Sequence, residues 1–134
     1  MQKIANFIDG MNREPVNGKY LENVEPASGR VYSLVPDSDA SDLALAVASA
    51  ENAFPVWKIL GSEARARILQ AMADGIERRL DELARAESID NGKPIALARS
   101  LDIPRASTNF RFFAAAATQF SSESHAVGHE AINY

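Results

Sequence analysis

The sequence predicts an α/β protein with a β-rich beginning and a mostly helical remainder. Up to residue 36, apolar stretches are separated by turn-forming residues, and from Asp37 onward apolar residues recur every three or four positions. Such patterns are typical of strands and of amphipathic helices, respectively. Hydrophobic residues make up 46% and charged residues 24% of the 134-residue chain, as in ordinary globular proteins. The chain is therefore expected to fold as one modest unit.

Three strands are predicted, at residues 4–8, 19–24 and 30–35. The first ends at Asp9-Gly10, a dipeptide that suits the positive φ angles of tight turns. The other two flank Glu25-Pro26-Ala27-Ser28-Gly29, in which proline fixes φ and glycine can adopt a left-handed conformation. These two strands are expected to pair as a hairpin, and residues 12–18 are expected to be a loop.

Five helices are predicted, at residues 39–54, 63–80, 81–90, 95–101 and 103–120. In the first helix, one face carries Leu43, Val47, Ala50, Phe54 and Trp57, because their spacing alternates between four and three. Ser38 or Ser41 is expected to cap this helix at its start, and Pro55 to end or bend it.

The remaining helix boundaries are predicted from glycine, proline and aspartate. Gly92 and Pro94 follow the third helix and predict its end, and Asp102 with Pro104 marks the start of the fifth. Beyond Ser121 the periodicity is lost. Residues 130–134 are expected to begin a strand, for which the sequence suggests no partner.

Charge and composition exclude several classes of partner. The formal net charge of -4 disfavours nucleic acids and anionic membrane surfaces. The longest apolar run, residues 112–117, is far shorter than the roughly 20 residues of a membrane-spanning helix, and the first residues lack the apolar stretch of a signal peptide. We therefore expect a cytoplasmic protein. The chain has no cysteine, which excludes disulfides and a catalytic thiol within it.

Three local motifs suggest chemistry, but each has a simpler structural interpretation, and a fourth possibility, a hydrolase, lacks its motif. Gly92-Lys93 lacks the flanking glycine and hydroxyl residue of a phosphate-binding loop, so a helix stop is favoured. His125 and His129 have the spacing of a zinc-binding pair, but no helical pattern surrounds them. A hydrolase is disfavoured because the chain has no Gly-x-Ser-x-Gly motif. Glu87 and Asp90 share a helical face as an acid/base pair would, although such pairs more often form surface contacts.

Several segments, in order along the chain, resemble those of the aldehyde dehydrogenase superfamily. Phe7-Ile8-Asp9-Gly10 resembles the family's opening strand, and residues 25–29 its Asn-Pro-x-Thr-Gly turn. Residues 46–57 resemble its Ala-Val-x-x-Ala-x-x-Ala-Phe-x-x-Trp helix, and residues 65–69 its Arg-x-x-x-Leu. Glu87-Ser88-Ile89-Asp90-Asn91-Gly92-Lys93-Pro94 is similar to the family's Glu-(Ser/Thr)-x-Asp-x-Gly-Lys-Pro signature. Residues 102–105 and 109–114 most resemble the branch that acts on 2-aminomuconic and 2-hydroxymuconic semialdehydes.

The resemblance implies the position of the chain within a larger enzyme. Residues 1–122 would form the amino-terminal part of the cofactor-binding domain, without its Rossmann-like sheet, and residues 123–134 would enter the segment through which members oligomerise. The family oxidises aldehydes to acids with NAD or NADP, a cysteine nucleophile and a glutamate base. All of these residues would lie beyond Tyr134, so we expect this chain alone to bind no cofactor and to be inactive. Its expected partners are copies of itself or the remainder of such an enzyme.

One site is implied by the resemblance. In some members a monovalent cation lies near the signature aspartate, here Asp90, and near the residues before the turn, here Asn23 and Val24. Asn23 replaces the more common threonine. Oxygen ligands suit such a hard ion.

Two functional hypotheses remain. The chain is either part of an aldehyde dehydrogenase or an accessory module that binds a full-length homologue. The coding sequence after Tyr134 would distinguish them: an in-frame continuation to a Pro-Trp-Asn region and a cysteine indicates the first, and a native stop beside a full-length paralogue favours the second.

Overall fold

A computed structural model of the chain describes the backbone of residues 1–134 and every side chain except those of His125 and Ala126. The strands are β1 (Gln2–Lys3), β2 (Asn6–Ile8), β3 (Met11–Arg13), β4 (Tyr20–Glu25), β5 (Arg30–Pro36), β6 (His125–Val127) and β7 (Ala131–Asn133). The helices are α1 (Ala40–Ile59), α2 (Ser62–Arg78), α3 (Leu80–Asn91), α4 (Ile95–Leu97), a π-helical segment (Ala98–Asp102) and α5 (Ile103–Gln119). The predicted α/β class, with helices predominating, is confirmed.

The main sheet has three strands in the order β1-β5-β4. Strands β4 and β5 form the predicted antiparallel hairpin, and β1 adds to the other edge of β5 in parallel. The β4–β5 register shifts between Asn23 and Val24, which pair with Ser33 and Val31, so that Tyr32 is an extra residue on β5. The hairpin therefore contains a β-bulge at Tyr32.

Of the first predicted strand, residues 4–8, only Asn6–Ile8 forms a strand, β2, and a separate short strand, β1, precedes it. Gln2 and Lys3 belong to the main sheet, whereas β2 pairs with β3 in a separate hairpin. Asp9 and Gly10 connect β2 to β3 with φ angles of 56° and 71°, as expected for a tight turn at this dipeptide. The prediction of a loop from residue 12 was wrong for β3, because three residues without apolar periodicity can still pair across such a turn.

Helix α1 differs from its prediction at both ends. Its N-cap is Asp39, rather than Ser38 or Ser41. The Asp39 carboxylate accepts a hydrogen bond from the backbone N–H of Ser41 at 2.8 Å. The Asp42 carboxylate accepts one from the backbone N–H of Asp39 at 3.1 Å. The helix continues through Pro55 to Ile59, so the expected end near Phe54 was wrong. Pro55 has no N–H to donate to the backbone carbonyl group of Glu51, four residues earlier. Because Glu51 is exposed, water can bind this carbonyl group instead, and the helix can continue.

Helices α4 and α5 are joined by the π-helical segment without a break. Helix α5 begins at Ile103, as predicted, but Asp102 is itself helical and its side chain makes no capping hydrogen bond, so its predicted role as a cap was wrong. Instead, its carboxylate accepts a hydrogen bond from Lys93 Nζ at 2.7 Å. A π-helical turn closes i→i+5 hydrogen bonds, and here the N–H of Ile103 donates to the carbonyl oxygen of Ala98.

Helices α2 and α5 pack against each other through small side chains. Ala66 and Ala73 of α2 and Ser107 and Ala114 of α5 are buried. Small side chains let two helix backbones approach closely. On the rim of this contact, Arg111 donates to Glu77 and Asp74 at 2.8 and 2.7 Å.

Few large apolar side chains are fully covered. Among the described residues, the buried hydrophobic side chains are Ile8 and five alanines, and the largest with less than 2% exposure are Ser33 and Ser107. The stripe predicted on α1 does share one face, but that face is exposed: Leu43, Val47 and Phe54 are 64%, 48% and 57% accessible. Helix α1 instead turns the side of Asp42, Ala46 and Ser49 inward.

The carboxyl-terminal tail forms a hairpin. Strand β7 pairs antiparallel with β6, so the prediction that a strand at residues 130–134 lacks a partner was wrong. The turn contains Gly128 with φ of 58°, which lets the chain reverse within a few residues. The pair His125 and His129, which the sequence analysis disfavours as a zinc site, lies partly outside the described residues, because the side chain of His125 is not among them. No helix among residues 1–134 is long and apolar enough to cross a bilayer.

Candidate functional site

The signature segment, residues 87–94, forms the end of α3 and the turn that follows it. Gly92 is left-handed, with φ of 75°, and its N–H donates to the Ser88 carbonyl oxygen at 3.0 Å. Ser88 Oγ donates to the Lys93 carbonyl oxygen at 2.6 Å, and Asn91 Oδ1 accepts the Lys93 N–H at 2.8 Å. The predicted helix stop at Gly92 is confirmed.

Lys93 is held by carboxylates. Its ammonium lies 2.7 Å from Asp102 Oδ2 and 3.7 Å from Glu87 Oε1, and the hydrogen bond to Asp102 is the main reason that the Lys93 pKa is raised. Two carboxylates beside the ammonium would repel a phosphate. This arrangement agrees with the helix-stop interpretation of Gly92-Lys93 and not with a phosphate-binding loop.

The turn at Gly92 lies directly against the β4–β5 hairpin. A β-carbon at Gly92 would be 3.1 Å from Pro26 Cβ and 3.8 Å from the Ala27 backbone nitrogen. The position therefore requires glycine for two reasons, its positive φ and the close approach of the hairpin turn. The signature segment and the turn at residues 25–29 are thus parts of one contact.

Asp90 and Asn23, which the sequence predicts to share a site, are brought together. Asn23 Nδ2 donates to Asp90 Oδ1 at 3.1 Å and to Tyr32 Oη at 2.8 Å. Tyr32 Oη in turn donates to Asp90 Oδ1 at 2.6 Å. We call these three side chains the Asp90 cluster. Val24, the third predicted residue, has no polar side-chain atom, so it can contribute only its backbone carbonyl oxygen.

Tyr32 is the residue that the sequence analysis missed. It is the extra residue of the β-bulge opposite Asn23 and Val24, and a bulge changes the direction of its side chain relative to the regular alternation of a strand. Asn23 and Ser33 are paired across the strands. The Ser33 hydroxyl is buried without a hydrogen-bond partner among the described residues. Only the register shift, which the sequence pattern does not specify, identifies Tyr32 as part of the cluster.

The hydrogen bonds stabilise Asp90 as a carboxylate. The pKa of Asp90 is lowered, first by the hydrogen bond from Tyr32 and then by that from Asn23. The same bond is the main reason that the pKa of Tyr32 is raised, because deprotonation of Tyr32 would remove the donor. Asp90 is therefore ionised at neutral pH and is a poor proton donor.

The suggested acid/base pair is not formed as a unit. Glu87 Oε1 accepts from Asn91 Nδ2 at 2.5 Å, whereas Asp90 accepts from Asn23 and Tyr32. Each carboxylate therefore has its own partners. Among the described residues, no group of three or more histidine, cysteine, aspartate or glutamate side chains is arranged to hold a metal ion.

Comparison with known protein families matches residues 13–134 to the aldehyde dehydrogenase family. The chain is 41% identical to the 2-aminomuconic semialdehyde dehydrogenase of Homo sapiens and 46% identical to that of Bos taurus, in each case over 126 residues. These residues are 94% of this chain and 26% of each relative. The chain thus spans about a quarter of the length of these relatives, and the predicted resemblance to their branch is confirmed.

A solved structure gives the same relation for the fold. The chain is similar to PnpE in a crystal structure with nicotinamide adenine dinucleotide, with a TM-score of 0.89 and 37% identity. The match covers 96% of this chain and 26% of that chain. The folds of the two proteins therefore agree over nearly all of the present chain.

The contact at Gly92 can be tested by adding a β-carbon. Gly92→Ala should destabilise the protein more than Gly29→Ala, since both glycines have similar positive φ angles, 75° and 68°, but only Gly92 has neighbours within 4 Å of the added atom. We expect a difference of about 1 kcal/mol in the free energy of unfolding, measured by urea denaturation. Equal losses in the two variants would show that the close approach to Pro26 has no energetic importance.

The Asp90 cluster should make stability depend on pH. Because the folded pKa of Asp90 is lowered, its contribution is complete above the unfolded value of about 3.9 and is lost as the pH falls through the folded pKa. Tyr32→Phe should cost about 1 kcal/mol near neutral pH, and this cost should shrink below about pH 4. Denaturant titrations at a series of pH values test this.

Tyr134→Phe is the matched control for the Tyr32 variant, because Tyr134 is fully exposed. It should leave the free energy of unfolding unchanged at every pH. A Tyr32→Phe cost that is independent of pH down to the acid transition would contradict the assignment of Asp90 as the charged partner.

Proposed function

Because the chain belongs to the aldehyde dehydrogenase family, we propose that it forms the amino-terminal part of an NAD(P)-dependent enzyme that oxidises an aldehyde to a carboxylic acid. The most direct support is the match with two relatives that are named as semialdehyde dehydrogenases. The match covers 94% of this chain and 26% of the length of each relative. The fold similarity to PnpE, whose structure contains nicotinamide adenine dinucleotide, favours a nicotinamide cofactor for the complete enzyme.

We assign the substrate to the class of muconic semialdehydes. The relatives at 41% and 46% identity are 2-aminomuconic semialdehyde dehydrogenases, and residues 102–105 and 109–114 are the part of the sequence that most resembles that branch. These residues lie at the last residue of the π-helical segment and in the first two-thirds of α5. These residues contribute to helix packing. The substrate assignment is therefore based on similarity to the named relatives and not on a residue that contacts substrate.

Within such an enzyme the chain would have a supporting role. Residues 1–122 would form the outer hairpins and helices of the cofactor-binding domain, and residues 123–134 would enter the oligomerisation segment. The exposed β6–β7 hairpin is suited to the second role, because its unpaired edges can add to another sheet. The partners proposed are further copies of the chain and the remainder of the enzyme.

This chain does not supply the reacting groups. The nucleophile of the family is a cysteine thiolate, and the chain has no cysteine. In the complete enzyme, bound NAD or NADP would accept the hydride. The residues described above hold helix ends and hairpins in place, and none is directed into a closed pocket with a base and a nucleophile. We therefore propose that the chain alone is inactive.

An accessory module that binds a full-length homologue is the alternative. It is favoured by the amount of apolar surface that is exposed on α1, since such surfaces usually mark interaction sites. The two proposals differ in whether the chain is covalently continuous with the catalytic residues.

We also propose that Asn23, Val24 and Asp90 hold a monovalent cation. The donor set fits such an ion in part: Asp90 is a carboxylate without an ion-pair partner among the described residues, and Val24 offers a backbone carbonyl oxygen. Oxygen donors of this kind suit hard cations. The ion would neutralise a carboxylate whose pKa is already lowered by Tyr32 and Asn23.

The proposed role in an enzyme predicts a difference between the chain alone and the complete protein. The purified chain should not reduce NAD in the presence of 2-aminomuconic semialdehyde or other aldehydes, because nucleophilic catalysis requires the thiol. A chimera in which this chain replaces the matched 126 residues of the human relative should do so. Absorbance at the wavelength of the reduced cofactor measures both. Turnover by the chain alone above a protein-free control would refute the supporting role.

The cation site predicts ion-specific stability. Sodium or potassium chloride should raise the melting temperature relative to tetramethylammonium chloride at the same ionic strength, because an ion that binds only the folded state stabilises it. Asp90→Asn should abolish the difference, and Glu22→Gln, on the same hairpin, should preserve it. Equal melting temperatures in all three salts for the unmodified chain would eliminate the site.

A further inference from the structure

In the Asp90 cluster, the side-chain amide of Asn23 presents its nitrogen rather than its oxygen to Asp90. Asn23 Nδ2 donates to Asp90 Oδ1 at 3.1 Å and to Tyr32 Oη at 2.8 Å. An amide nitrogen is a donor and not an acceptor, so only the amide oxygen can bind a cation. With the amide in this orientation, Asn23 cannot be an oxygen ligand beside Asp90.

Tyr32 stabilises this orientation of the amide. Tyr32 Oη accepts from Asn23 and donates its single proton to Asp90 Oδ1 at 2.6 Å. If the amide were reversed and nothing else changed, Asn23 Oδ1 would face Asp90 Oδ1 across the 3.1 Å that the hydrogen bond now spans. Two acceptor oxygens at this distance repel each other, and Tyr32 has one proton for the two of them. The observed orientation is therefore favoured unless a cation contacts both oxygens.

The reversed amide would find a hydrogen-bond acceptor on the opposite strand. Ser33 pairs with Asn23 in the β4–β5 ladder, and residues directly opposite each other present their side chains on the same face, with β-carbons about 5 Å apart. The Ser33 side chain is completely buried, and its hydroxyl has no partner among the described residues. A buried hydroxyl without a partner is unfavourable. An Asn23 N–H that is turned away from Asp90 and toward Ser33 would remove this cost.

We infer that Asn23 becomes a cation ligand only by reversing its side-chain amide, and that Tyr32 opposes the reversal and thereby lowers the affinity of the site for the ion. The inference rests on the proposed function, in which Asn23, Val24 and Asp90 hold a monovalent cation. In the reversed orientation, Asn23 Oδ1 and Asp90 Oδ1 both contact the ion. Tyr32 Oη then donates to Asn23 Oδ1, and Asn23 Nδ2 donates to Ser33 Oγ. Tyr32 is outside the set of residues that the family resemblance implies.

The two orientations differ by one hydrogen bond of Tyr32. In the observed orientation its hydroxyl makes two, with Asn23 and Asp90, and in the reversed orientation it makes one, with Asn23 Oδ1. A hydrogen bond contributes about 1 kcal/mol net, which corresponds to roughly a fivefold change in affinity. Removal of the Tyr32 hydroxyl should therefore strengthen ion binding, whereas removal of a ligand would weaken it.

Sodium titrations of the melting temperature measure these affinities. Sodium chloride replaces tetramethylammonium chloride at constant ionic strength, and the half-saturating sodium concentration reports the affinity of the folded chain. Tyr32→Phe should lower this concentration by roughly fivefold. Ser33→Ala should raise it by a similar factor, because the reversed amide loses its acceptor. A general loss of stability would not move two hydroxyl deletions on the same hairpin in opposite directions. Tyr134→Phe, at a fully exposed position, should leave the concentration unchanged.

Nuclear magnetic resonance of the unmodified chain tests the reversal directly and needs no variant to remain folded. Because Asn23 Nδ2 lies 2.8 Å from Tyr32 Oη, its amide protons should show a nuclear Overhauser effect to the Tyr32 ring in tetramethylammonium chloride. This effect should disappear in saturating sodium chloride, when the amide oxygen takes the place of the nitrogen. The resonances of these protons are identified by their absence in Asn23→Asp.

The possible results separate the inference from the cation site on which it rests. An Overhauser effect that persists in saturating sodium, or a half-saturating concentration that Tyr32→Phe leaves unchanged or raises, overturns the inference, while a sodium response of the unmodified chain still supports the site. A sodium response that is absent from both the unmodified chain and Tyr32→Phe overturns the site and the inference together. A response in Tyr32→Phe alone supports the inference, because Tyr32 then prevents the unmodified chain from binding the ion.

Discussion

The contact between the end of α3 and the β4–β5 hairpin is the constraint on which the arrangement of the chain depends. It joins two segments that are distant in the sequence through the hydrogen bonds of Asp90 with Asn23, 67 residues away, and with Tyr32, 58 residues away. The contact is also close, because a β-carbon at position 92 would lie only 3.1 Å from Pro26 Cβ. Glycine, which has no β-carbon, permits this approach. The strand-rich beginning and the helical remainder are thereby held in one orientation, with few large side chains between them.

The same contact gives the signature segment, residues 87–94, a structural role in this chain. Glycine ends the helix, Asn91 and Ser88 fix the backbone of Lys93, and Lys93 extends to Asp102 in the π-helical segment. A single turn thus connects the hairpin, α3 and the beginning of α5. Its polar groups are directed at one another, which is the arrangement of a structural junction rather than of an open catalytic centre.

The packing of the helices has a second consequence for function. The α2–α5 contact is built from alanines and a serine, which bring backbones together but bury little apolar area per residue. The large side chains on α1, α5 and the tail hairpin are consequently left at the surface, among them Phe54, Ile59, Phe113 and Ile132. Such a surface is suited to the supporting role proposed above, and the membership of the chain in the aldehyde dehydrogenase family agrees with that proposal.

The sequence by itself determined the local features: the helix stop at Gly92, the tight turn at Asp9-Gly10, the β4–β5 hairpin, the family, and the pairing of Asn23 with Asp90 that the family implies. The helix stop, the turn and the hairpin depend on φ preferences and on motifs within a few residues, whereas the family and the pairing of Asn23 with Asp90 came from the resemblance along the whole chain. Tertiary structure alone decided that Tyr32 joins Asp90, that α1 continues through Pro55 and turns Asp42 inward, and that β7 pairs with β6. Register shifts and the choice between two apolar faces depend on what packs against them, and periodicity along one segment does not contain that information.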